Sequence, residues 1–217
     1  MTVSPTQVLR SLALVALMAT WAVAAYFGSS GRGSPDFNVA IGVAPIAVVL
    51  AMLLWRVRHP PAMVGGGLLV AGALAWLWPS LRQNFALLYF IEHLGTNLAL
   101  AALFGKTLFG PGEPLITQFA RIVNHGVLSG RQFRYTRQAT LAWTGFFIAN
   151  ATLSALLYAL TPHAVWSFYA SLLTAPLIGL MFAAEHLWRM HALPPEERPR
   201  IADVFRVWRQ RTPAKGS

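Results

Sequence analysis

Residues 37–55, FNVAIGVAPIAVVLAMLLW, run without a single charged side chain. At 1.5 Å per residue, a helix of that length crosses most of the roughly 30 Å hydrocarbon core of a bilayer. A soluble helix would return a polar face about every 3.6 residues, and this stretch has none. A membrane β-strand would alternate and be about half as long. The segment is therefore predicted to be a transmembrane helix.

Working outward, similar apolar runs occupy 11–27, 62–78, 85–104, 139–160 and 164–187. The expected fold is all-α, a polytopic transmembrane helical bundle of six spans over residues 1–188. A cytoplasmic amphipathic loop, 105–138, is expected to interrupt it, and a basic tail, 189–217, to follow it. Composition agrees: of 217 residues, 56% are hydrophobic and 11% charged, against about 45–50% and 25% in soluble domains. The chain has no cysteine, which excludes disulfides, iron–sulfur clusters, thiolate zinc and a cysteine nucleophile.

The formal charge of +10 would suggest nucleic acid in a soluble chain. Here the charges are segregated. Of the 17 Lys and Arg, 15 fall on alternate connections and the termini, leaving Arg32 and Arg82 on the opposite side. The positive-inside rule places both termini and the two basic loops in the cytoplasm, so the charge is a topology signal and no nucleic-acid partner is expected. Arg10 followed by an apolar run and Ala22-Val23-Ala24 resembles a signal peptide. The apolar run continues through Tyr26 and Phe27, past the would-be cleavage site, which favours a retained span.

Span 3 carries Gly67, Ala71 and Ala75 four apart, beside Gly65, Gly66 and Gly72. Small residues let helices approach closely in lipid, so span 3 is expected either at the centre of the bundle or at a contact between copies in a homo-oligomer. Pro45 and Pro176 lie inside spans and are expected to bend them. Trp55, Trp76, Trp78, Trp143, Trp166 and Trp188 fall near span ends and are expected to anchor in the headgroup region.

The sharpest candidate for chemistry is Glu92-His93 in span 4, with Asn97 one turn beyond His93. Ionisable groups at membrane depth are costly and face the protein interior or a wet cavity. Glu92 and His93 could relay a proton or serve as acid and base. They could equally hydrogen-bond neighbouring helices and lock the bundle. Glu185-His186 repeats the dipeptide at the end of span 6, with Arg189 at i+4 for an ordinary ion pair. Its depth differs from that of Glu92, so no shared metal site is expected. Asn150 and Ser154 form a polar pair in span 5, suited to interhelical hydrogen bonds.

In the long loop, Gly110-Pro111-Gly112-Glu113-Pro114 should stop span 4. Leu115, Ile116, Phe119, Ile122 and Val123 then follow helical spacing, which predicts an amphipathic helix on the membrane surface. Arg121, Arg131, Arg134 and Arg137 make this face a candidate site for an acidic partner or anionic lipid. His125 lies nearby and is expected to be exposed. In the tail, Ile201, Val204, Phe205 and Trp208 predict a short surface helix. No phosphate-cradling loop, nucleophile elbow or zinc-protease motif appears, and no cofactor or metal is expected.

Leu103-Phe104-Gly105-Lys106-Thr107-Leu108 and Gly112-Glu113-Pro114-Leu115-Ile116-Thr117-Gln118-Phe119-Ala120-Arg121 resemble a known family. So do Arg134-Tyr135-Thr136-Arg137, Ala142-Trp143 with Phe146-Phe147, and Met181-Phe182-Ala183-Ala184-Glu185. That family comprises bacterial inner-membrane proteins associated with aryl-polyene and xanthomonadin-type pigment clusters, beside fatty-acid-like synthesis enzymes. The resemblance covers about 103–185 and implies a location and a pathway, with the acidic acyl carrier protein as an expected partner. The leading expectation is an accessory or scaffold protein in synthesis or delivery of aryl-polyene or fatty-acyl lipid. Alternatives are a small proton-coupled transporter using Glu92 and His93, or a membrane-embedded acyl or glycosyl transferase.

Overall fold

The structure, a computed structural model, describes residues 5–56, 59–124 and 126–197. Among these the chain is helical throughout, with no strand. Helix α1 spans Pro5–Ser29, α2 Pro35–Trp55, α3 Pro60–Gln83, α4 Phe85–Phe109, α5 Leu115–Val123 and α6 Gly130–Leu160. The last long segment is composite: α7, His163–Phe168, passes through one wide π-helical turn, Tyr169–Leu173, into α8, Thr174–Ala192. Six of these helical segments are long and apolar enough to cross a membrane, as expected of a multi-pass membrane protein. Arg58, His125, the side chain of Arg10 and the predicted tail helix around Ile201–Trp208 lie outside the described residues.

The breaks follow the local chemistry of the chain. Ser34 caps α2 by accepting the Phe37 amide at 3.2 Å, with Pro35 at the first helical position, where its missing N–H costs nothing. Proline likewise opens α3 and precedes α5 and α7. Gly126, at φ 92°, turns the chain after α5, a left-handed backbone that suits glycine. Pro45 lies within α2, which continues to Trp55. Pro176 is the third residue of α8, one helical turn beyond the π-helical stretch, so the irregularity expected there takes the form of π-helix.

Contacts divide the chain into two compact units. The first holds the chain through Leu94 together with Ser154–Ala175. In it α2 packs between α1 and α3, and α1 also meets the wide turn. Tyr89 donates to the Asn38 carbonyl at 2.8 Å, and a Cβ on Gly28 would fall 2.3 Å from the Tyr89 hydroxyl, so glycine is what permits that approach. The second unit holds Gly95–Leu153 and the chain from Pro176 onward. Its core holds two clusters, Ala101, Trp143 and Phe147, flanked by Phe104, Phe146, Ile116 and Met181, and Tyr135, Ala139 and Leu193.

Three sequence expectations need correction. Helix α6 begins at Gly130 rather than near 139, so Arg131, Arg134 and Arg137 belong to the same helix as span 5 and not to a loop. Of the two places expected for span 3, the centre of the bundle is the one to correct, since α3 has no buried residue and open space surrounds Gly65, Gly67 and Gly72; a contact between copies is a separate expectation. Of the tryptophans, Trp55 and Trp76 are exposed, but Trp143 and Trp166 are core residues, buried by aromatic neighbours that span-end position alone does not reveal.

Candidate functional site

In the first unit, His93 projects from α4 between two hydroxyls. Its Nδ1 lies 3.0 Å from Ser154 Oγ at the end of α6, and its Nε2 lies 3.0 Å from Thr174 Oγ1 at the start of α8. Ser154 Oγ also accepts from the indole N–H of Trp166 at 3.0 Å, and both residues are fully buried. Thr174 donates its hydroxyl to the Tyr169 carbonyl at 3.2 Å. The Tyr169 ring meets the imidazole edge-on, with centroids 5.8 Å apart. Phe90 stacks on Tyr158 at 4.1 Å and abuts Trp166, closing the hydrogen-bonded group on one side.

Glu92, the other half of the dipeptide, is half-buried and has no hydrogen bond or ion pair among the described residues. Successive helical residues point about 100° apart, which is why its neighbour's partners do not reach it. Asn97, the third candidate, is buried in the second unit. Also in the second unit, Asn150 donates to the Phe146 carbonyl at 2.9 Å.

The second dipeptide is built differently. Glu185 is buried, accepts a short hydrogen bond from Tyr135 and pairs with Arg189 Nη2 at 2.7 Å. Arg189 Nε also donates to the Tyr135 hydroxyl at 3.2 Å. The expected i,i+4 ion pair is thus present, with a phenol from α6 as a third member. His186 is exposed. Among the described residues no three His, Asp or Glu side chains gather as a metal site.

Helix α5 is clamped to its neighbours by threonines. Thr107 accepts the Leu115 amide at 2.9 Å while donating to the Phe104 carbonyl, and Thr140 accepts the Ile116 amide at 3.2 Å while donating to Thr136. These satisfy two of the helix N-terminal donors that would otherwise be orphaned. Thr117, fully buried, bonds Thr136 at 2.8 Å. Of the predicted apolar face, Ile116 turns into the core while Phe119 and Ile122 stay exposed.

The four arginines proposed as one basic face separate into two kinds. Arg121 is held by Glu113 through two hydrogen bonds, one of them Nε to Oε2 at 2.8 Å, and donates to the Gly126 carbonyl at 2.7 Å. The hydrogen bonding from Arg121 to Glu113, helped by the guanidinium charge, lowers the Glu113 carboxyl below its ordinary range. Arg131, Arg134 and Arg137 are exposed on α6, and none makes an ion pair among the described residues. Positions 134, 137, 141 and 148 follow helical spacing, and Leu141 and Ile148 are also exposed. One face of α6 therefore changes from guanidinium to bare hydrocarbon within about two turns.

In the sequence Ser154 reads only as half of a polar pair and Trp166 as an anchor, and no role is legible for Thr174, Tyr135, Thr107 or Thr140. The recurrence of Thr136, Thr140 and Thr144 at i,i+4 on an otherwise apolar helix was the available signal for the threonine clamp. Against known proteins, no family model, no curated protein and no solved structure matches this chain.

Proposed function

We propose that the chain is a bacterial inner-membrane accessory or scaffold protein. In this reading both termini are cytoplasmic, and the exposed start of α6 docks an acidic partner during synthesis or delivery of aryl-polyene or fatty-acyl lipid. The observation that carries it is the exposed set Arg131, Arg134 and Arg137, without an ion pair among the described residues, at the edge of a row of exposed apolar side chains. Arg121 drops out of the docking set, because its charge is already met by Glu113. The pathway and the choice of acyl carrier protein as partner come from the family resemblance. The transporter and transferase alternatives use Glu92 or His93; both His93 nitrogens have hydroxyl partners, which leaves half-buried Glu92 as the group those alternatives would rest on.

The test is charge removal on α6. Replacing Arg131, Arg134 and Arg137 together by Gln keeps the helix but should reduce co-purification of acyl carrier protein at least tenfold at low salt. The wild-type recovery should itself fall as salt rises. Unchanged recovery from the triple variant would sink the docking reading.

A further inference from the structure

We infer that His93 is locked as the neutral Nε2–H tautomer within a one-way hydrogen-bond chain, Trp166 to Ser154 to His93 to Thr174 to Tyr169, where it positions the wide turn. The inference is independent of the docking reading, since it concerns the other compact unit.

The direction of the chain follows from proton counting. An indole N–H can only donate, so Ser154 Oγ is an acceptor toward Trp166. Thr174 has one hydroxyl proton and gives it to the Tyr169 carbonyl. Toward His93 it can then only accept, so the proton sits on Nε2. In the neutral ring Nδ1 is left bare and accepts the one proton that Ser154 has to offer. Each hydroxyl donates once and accepts once, all four bonds align head to tail, and such alignment strengthens each bond.

Both ends are closed. An indole does not release its proton at physiological pH, and an amide carbonyl does not take one up. Along these four bonds, therefore, neither end gives up or takes up a proton at physiological pH. What the chain does is mechanical. The Tyr169 carbonyl receives both the backbone amide and the hydroxyl of Thr174, which is the bond pattern of the wide turn. By donating to Thr174, His93 fixes the rotamer from which that hydroxyl reaches Tyr169. The turn lies just ahead of Pro176, where ordinary α-helix would meet a missing amide and a ring clash. A residue of α4 thus stabilises the irregular stretch at the entry to α8.

The experiment is nitrogen NMR of the full chain in lipid nanodiscs with ¹⁵N-labelled histidine and tryptophan, His93 being assigned by the loss of its signals in His93→Gln. The expected spectrum at neutral pH shows His93 Nδ1 at an unprotonated position and Nε2 protonated. An Nδ1–H tautomer, or a doubly protonated ring, overturns the inference. Ser154→Ala should move both the His93 Nδ1 signal and the Trp166 indole signal; movement of one without the other breaks the chain at its second link and overturns it. Thr174→Ser, which keeps the hydroxyl, should preserve the tautomer, whereas Thr174→Val should mix the two. Identical tautomer populations in Thr174→Val and wild type would show that Thr174 does not set the proton.

Discussion

The dipeptide Glu-His occurs twice in this chain, and the two copies are used in opposite ways. At Glu92-His93 the histidine is held by two hydroxyls, while the carboxyl has no partner among the described residues. At Glu185-His186 the carboxylate is held by a phenol and a guanidinium while the histidine is exposed. An imidazole can bridge two hydroxyls because it offers one donor and one acceptor, whereas an ionised carboxylate only accepts and needs donors or a cation. The first setting, with Ser154 and Thr174, supplies partners that can both give and take protons. The second, with Tyr135 and Arg189, supplies donors. The neighbours, not the dipeptide, assign the role.

The largest effect should come from emptying the second setting. Glu185→Ala leaves Arg189 without its counter-ion and Tyr135 without its acceptor. A fully buried pair broken on one side costs about 3–5 kcal/mol. Arg189 keeps 30% of its side chain exposed and can recruit water, so about 2–3 kcal/mol is expected here. Thermal or denaturant unfolding in detergent micelles would measure it. A loss under about 0.5 kcal/mol would mean that Glu185 is no better held than an ordinary surface residue.

His93→Leu should cost less, about 1–2 kcal/mol, even though it removes two hydrogen bonds. The reason is that each partner keeps one of its two hydrogen bonds. Ser154 keeps Trp166 and Thr174 keeps the Tyr169 carbonyl. If His93→Leu instead proves the costlier of the two, the ring is supporting more of the first unit than its hydrogen bonds reveal.

The sequence revealed the spans well because lipid imposes a single, long-range demand that hydropathy meets directly. Segments 37–55 and 85–104 sit inside α2 and α4 with matching starts or ends. It revealed the start of α6 poorly, because Arg131, Arg134 and Arg137 interrupt the apolar run without interrupting the helix. For the sites the limit was different. Arg189 lies at i+4 from Glu185, a local spacing, and could be read. Tyr135 reaches Glu185 from 50 residues away and Thr174 reaches His93 from 81, distances over which no periodicity carries information. Trp166 is hidden for the same reason: a tryptophan at a span end looks identical whether it faces headgroups or, as here, a serine hydroxyl.

A smaller and pH-dependent effect is expected where Glu113 holds Arg121. The folded carboxyl titrates below its unfolded value because the ionised form accepts from the guanidinium. Its stabilising contribution is therefore complete above the unfolded carboxylate value of about 4.3 and is lost as pH falls through the lowered folded value. Hydrogen exchange of the α5 amides should be flat from pH 7 to about 5, once corrected for intrinsic rates, and rise only in stronger acid. Glu113→Gln should remove that acid step and show its faster exchange already at neutral pH. A step between pH 7 and 5 would assign the change to a histidine and not to Glu113.

The smallest effect is the one that isolates setting from composition. His186 is exposed and makes no hydrogen bond among the described residues, so His186→Gln should change stability by no more than about 0.5 kcal/mol. Glutamine keeps a polar, solvated side chain and good helix propensity, so neither burial nor backbone preference confounds the measurement. The same substitution at His93 puts a flexible amide where a rigid ring spans two hydroxyls on different helices, and it should cost at least 1 kcal/mol. Measured side by side in the same micelles, the two His→Gln variants hold residue type, host helix class and preceding glutamate constant. A gap between them then measures what the setting of His93, Ser154 and Thr174 included, contributes. Equal costs would place the stabilising interaction in the Glu-His step itself and undo the contrast between the two sites.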